Sequence, residues 1–99
     1  MSDSVIHLYD LELDDRNPHK RTQRSQALIA KSIEEVGFAR PIVIDENNKV
    51  IAGNGVTEAV SELGFKQVRV FEISGDEIIA VRRTNLTEEQ KRRLSLFDN

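Results

Sequence analysis

Residues 41–64 read PIVIDENNKVIAGNGVTEAVSELG, and the change of period along this stretch decides the fold. Pro41-Ile42-Val43-Ile44 is a continuous apolar run, the pattern of a strand covered on both faces. Asp45-Glu46-Asn47-Asn48 is a turn, and Lys49-Val50-Ile51-Ala52 is the returning strand. Gly53-Asn54-Gly55 breaks that strand. Val56, Ala59, Val60 and Leu63 then recur at helical spacing until Gly64 closes the element. Strand, turn, strand and helix in so short a run predict a small domain that mixes both element types.

Working outward, residues 5–9 (Val5-Ile6-His7-Leu8-Tyr9) are β-rich and read as a strand. Residues 10–20 are polar, contain Asn17-Pro18, and read as a loop. Thr22 or Ser25 can cap the helix that follows, since a hydroxyl accepts from the free amides of a first turn. In it Leu28, Ile29, Ser32, Ile33 and Val36 fall at helical spacing, and Gly37 ends it. Downstream, residues 68–73 (Val68-Arg69-Val70-Phe71-Glu72-Ile73) read as a strand. Two capping boxes come next. Ser74-Gly75-Asp76-Glu77 predicts a short helix over Ile78, Ile79 and Val81, and Thr87-Glu88-Glu89-Gln90 predicts one carrying Leu94 and Phe97. The order is that of an α+β or small α/β domain.

A chain of 99 residues is one domain. The absence of cysteine removes disulfides, thiolate catalysis and cysteine zinc sites, and fits a reducing compartment. No apolar run approaches the length of a membrane span, and residues 1–15 do not read as a signal peptide. The expectation is a cytoplasmic protein with no membrane association. His7 and His19 lack metal-pair spacing, so no metal centre is expected, and Ser4, Ser25 and Ser61 have no triad partners. The net charge of -3 argues against a general nucleic-acid coat. The charge is segregated, however. Residues 1–15 hold five acids and no Lys or Arg, whereas Arg16, His19, Lys20, Arg21 and Arg24 follow with no acid between them. A second basic group is Arg82, Arg83, Lys91, Arg92 and Arg93. Together with Lys20 these five are the candidates for phosphate contact with nucleic acid. The competing reading is a set of solvated faces.

The turn at Gly53-Asn54-Gly55 is the most site-like feature. Glycine permits positive φ and close approach, and the first amides of the next helix have no intrahelical partner. That is an anion-seeking geometry, and Gly53, Asn54, Gly55 and Thr57 are its candidate residues.

Asn17-Pro18, then Ser32-Ile33 with residues 37–44, then residues 51–55 through Glu58-Ala59 and Leu63-Gly64, together resemble the N-terminal domain of ParB-family proteins. That unit is also called the ParB-like nuclease domain, and its fold is shared with sulfiredoxin. The resemblance covers residues 5–73. It implies an α+β domain over residues 1–99, with a core of about 5–73 and a helical extension of about 74–99. Its short mixed sheet would be flanked by helices and followed by a C-terminal helix. Residues 86–99 resemble the continuation in phage and plasmid members, often joined to a DNA-modification methyltransferase.

In chromosome-partition members the block aligned with residues 53–59 reads Gly-Glu-Arg-Arg-x-Arg-Ala, and its arginines grip a nucleoside triphosphate. Here Gly55, Val56 and Glu58 stand at the arginine positions. A hydrogen bond to a charged group contributes about 1.5–3 kcal/mol. Two lost contacts therefore weaken a phosphate ligand by roughly 3–6 kcal/mol, or about a hundredfold to ten-thousandfold. The resemblance places Arg16, Arg21, Arg24 and Arg40 as further ligand candidates. It implies a nucleotide- or DNA-associated binding module with a degenerate phosphate turn, taking a triphosphate with Mg²⁺ weakly if at all. The alternatives are a weak NTPase or nuclease, and a docking domain for a DNA-processing protein or a homodimer. Sulfiredoxin chemistry needs a cysteine and is excluded.

Overall fold

The structure, a computed structural model, describes residues 2–13 and 23–97. Strand β1 (Ser2–His7) leads into a 3-10 turn (Leu8–Asp10), and α1 (Gln23–Val36) precedes β2 (Val43–Ile44) and β3 (Val50–Ala52). Helix α2 (Asn54–Leu63), strand β4 (Gln67–Glu72) and helix α3 (Glu88–Phe97) complete the order. The α+β class is the one expected. The strands, however, form two antiparallel ribbons and not one mixed sheet: β1 with β4, and β2 with β3. A parallel bridge ties Glu12 to Lys49 beside β3, with the Val50 amide donating to the Glu12 carbonyl at 2.7 Å.

The 3-10 turn is capped from both sides. His7 Nδ1 accepts from the Tyr9 amide at 3.1 Å, and Asp10 Oδ2 accepts from the His7 amide at 3.0 Å. This stops β1 at His7, two residues before the expected end, and swings Leu8 inward. Leu8, Ile33, Ala59 and Val60 make the central cluster, with Val56, Leu63 and Val68 packed on it. It is formed by the facing apolar stripes of α1 and α2, the period that the sequence displays. Val36 and Val50 are also buried.

Two further expectations fail. Residues 41–44 are not a strand covered on both faces: only Val43 and Ile44 pair, and Val43 is 52% exposed. Ile51 of the paired strand is likewise exposed, so the ribbon is not covered on both faces. Residues 74–81 form no helix either. Gly75 sits at φ 91, outside helical space, and the Ser74 hydroxyl donates to Asp76 Oδ1 at 2.7 Å. The would-be cap is thus spent on a local turn, and the β-branched run after it has weak helix propensity. The second capping box forms as predicted. Gln90 accepts from the Thr87 amide at 2.9 Å, and Thr87 Oγ1 accepts from the Gln90 amide at 3.1 Å.

Candidate ligand cleft at the Gly53 turn

Gly53 joins β3 to α2 at φ 101, and a Cβ there would lie 2.5 Å from the Ile42 Cγ2 methyl. Two separate demands, a left-handed backbone and a close approach, therefore select glycine. The carbonyl of Gly53 accepts from both the amide and the hydroxyl of Thr57, each at 3.0 Å. Asn54, Gly55 and Thr57 are buried, and the Thr57 hydroxyl proton is committed to the turn. The turn leads into a cleft that Val56 and Thr57 line and that Gly53, Asn54 and Gly55 do not reach.

That cleft has a volume of about 740 Å³. Pro41 and Ile42 form one wall, Val56 and Val60 of α2 another, and Phe65, Val68 and Phe71 a third, with residues 77–82 on the outside. Phe38 and Phe65 meet edge to face at 4.9 Å between ring centres. Arg40, Arg69 and Arg82 are the cations among its lining, and Glu77 is the acid. Arg69 is paired with Asp3 across the β1–β4 ribbon at 3.0 Å. An apolar interior with a few charged groups suits a ligand with a large apolar part.

The predicted site residues separate into three groups. Gly53, Asn54, Gly55 and Thr57 come together at the turn, and of these four Thr57 alone lines the cleft, with Arg40 and Arg82. Arg16, Lys20 and Arg21 lie outside the described residues; Arg24 is in the first turn of α1, its side chain outside the described set. The third group does not line the cleft. Arg83 donates to the Phe38 carbonyl at 2.7 Å and to Asn85 Oδ1 at 3.3 Å. Arg93 meets Glu35 at 2.6 Å, and Lys91 meets Glu88 at 3.2 Å within α3. Arg92 is exposed on α3. Arg83 and Arg93, with the Gln90 side chain donating to the Glu35 carbonyl at 3.1 Å, anchor the extension to the carbonyl end of α1. Cations at that end also complement the helix dipole.

Sequence reasoning missed Gln26. Its Nε2 lies 3.4 Å from the Gly55 carbonyl, and its Oε1 is buried with no partner among the described residues. A lone glutamine on a helix gives no signal of this. Among the described residues, no three acidic, histidine or cysteine side chains converge on a metal position, and no helix is long and apolar enough to cross a membrane.

No family model matches the chain. It is 32% identical over 77 residues to the ParB-like nuclease domain-containing protein YnaK of Escherichia coli (strain K12), covering 78% of this chain and 77% of that protein. Among solved structures it is similar to a Pnob8-like ParB-N domain, with a TM-score of 0.57 and 26% identity over 70% of this chain. The chain spans 28% of that solved chain. The sequence blocks, the α1–α2 core with its Gly53 corner, and the extent of the match to YnaK lead to one conclusion: the chain belongs to the family of ParB-like nuclease domain proteins.

Proposed function

We propose that this chain is a non-catalytic ParB-like module, associated with DNA or a DNA-processing partner, whose ancestral phosphate turn no longer holds a triphosphate firmly. The observation that carries this reading is Val56. It stands where partition members carry an arginine, yet it packs against the central cluster and lines the cleft as an apolar wall. Gly55 beside it is buried and Glu58 is exposed. What remains at the corner is the start of α2, whose dipole contributes only about 0.3–1 kcal/mol toward an anion. The resemblance of residues 86–99 to phage and plasmid members supports a mobile-element origin and a methyltransferase partner in the cytoplasm.

Titration calorimetry with CTP, ATP and GTP plus Mg²⁺ tests the claim. Saturation weaker than micromolar for all three is expected, and micromolar or tighter binding of any one overturns it. Fluorescence anisotropy with duplex DNA should show binding that weakens with added salt. An adjoining methyltransferase reading frame checks the genomic part.

A weak NTPase or nuclease is the second reading, favoured by Arg40 and Arg82 on the cleft. Phosphate release and DNA nicking should then fall in Arg40→Ala. Activity absent, or indifferent to that change, removes the reading.

A further inference from the structure

Charge is unevenly placed along the cleft. Its outer wall, residues 77–82, begins with Glu77, continues through Ile78-Ile79-Ala80-Val81 and ends with Arg82. At that end the next residue, Arg83, donates to the Phe38 carbonyl at 2.7 Å. The bond joins the stretch carrying Arg82 to the one carrying Arg40, so these two cations share one end of the cleft, whereas Glu77 begins the opposite end of the run.

The three cations of the lining are not equally available. Arg69 is held by Asp3, and Arg40 is engaged within the protein. Arg82 is exposed and makes no hydrogen bond or ion pair among the described residues. One available guanidinium matches one anionic group, and its planar fork fits a carboxylate. Uncharged polar groups are scarce on the walls. The Thr57 hydroxyl already donates to the Gly53 carbonyl, which leaves the Gln67 amide. A sugar or a base buried here would lose hydrogen bonds to water that the walls do not replace. The apolar walls, by contrast, are unfinished: Phe65, Phe71, Ile79 and Val81 are each between 38% and 50% exposed. A body that covers them removes that surface from water. Residues 78–82 run without turn or bend, so the body that follows this wall is linear.

We propose that the cleft takes an acyl carboxylate, its aliphatic chain lying between Val60 and Ile79 and its carboxylate meeting Arg82. This inference goes beyond the triphosphate reading of the Gly53 turn and does not depend on it, since Gly53, Asn54 and Gly55 do not line the cleft.

Calorimetric titration of the full chain with decanoate, below its micellar concentration, tests the proposal. Decyltrimethylammonium, a similar chain with the opposite charge, is the control. One decanoate per chain is expected, held roughly tenfold or more tighter than the cation. Arg82→Ala should weaken decanoate by roughly tenfold without weakening the cation. Ile79→Asn should weaken both. Far-ultraviolet circular dichroism should stay unchanged in each variant, since both side chains are exposed. The comparison of the two amphiphiles on the unaltered chain needs neither variant. No saturable decanoate binding overturns the proposal, as does equal affinity for the two amphiphiles or indifference to Arg82→Ala. Tighter binding of 2-naphthoate would show an aromatic occupant, and displacement of decanoate by CTP with Mg²⁺ a nucleotide, and either overturns it equally. Tight CTP binding that leaves decanoate in place overturns the triphosphate reading alone and supports two separate sites.

Discussion

Gly53 and Gly64 flank the same helix, both with positive φ, and only one of them touches anything. A Cβ on Gly64 would meet nothing within 4 Å, whereas one on Gly53 drives into Ile42. Gly64→Ala should therefore cost only the left-handed backbone strain, about 1–2 kcal/mol. Gly53→Ala should cost about 2–4 kcal/mol, because the clash is added. Urea denaturation of the two variants separates the contributions, and equal losses would show that the Ile42 contact is unimportant. Val56→Arg probes the same corner in the opposite direction. It forfeits apolar packing, so stability falls by about 1 kcal/mol. If the turn retains its ancestral aim, triphosphate binding tightens by about 1.5–3 kcal/mol, roughly tenfold or more, in calorimetry. At Asp76, the Ser74 hydroxyl and the residue's own amide hold the carboxyl below its ordinary value. A depressed folded-state value means that the contribution is present above the ordinary aspartate range and lost as pH falls through the folded one. Ser74→Ala should raise the Asp76 titration midpoint followed by NMR.

The two capping boxes show how far local sequence reaches. Both fit the Ser/Thr-x-x-Glu/Gln pattern, and only the one at Thr87 opens a helix. The difference lies in Gly75 inside the first box and in the β-branched Ile78, Ile79 and Val81 after it, all weaker helix formers than Ala or Leu. Helices α1 and α2 were legible because their apolar periodicity and their closing glycines agree. The ribbons were only half legible. The hairpin reads from local turn chemistry, with Asp45 accepting from the Asn47 and Lys49 amides at 2.9 Å. Which strand pairs with β1, 60 to 70 residues away in sequence, has no local signature. The corner of the site was legible through its glycines, whereas the apolar cleft was not, since its walls come from five separated segments. Gln90 is the hinge of the extension: it caps its own helix and also donates to Glu35 of α1. Gln90→Ala should cost about 1–2 kcal/mol and speed amide exchange in α3 while sparing α2.

Across the whole molecule, six buried apolar side chains carry the core among the described residues. Domains of this size keep only about 5–15 kcal/mol of net stability, so single losses weigh heavily. Ile33→Ala should remove about 2–4 kcal/mol, a large part of the total, read as a lowered denaturation midpoint. Leu8 is the other member of that cluster with a distant origin, delivered by β1 and locked where its amide donates to the Lys66 carbonyl at 2.7 Å. The β1–β4 ribbon therefore has a consequence for synthesis. As the chain leaves the ribosome, β1 must wait for β4, so the core stays open until β4 has cleared the exit tunnel. During that interval α1 and α2 lack the ribbon side of the core, and a nascent chain stalled before residue 67 leaves the cluster without Val68 and with Leu8 unheld.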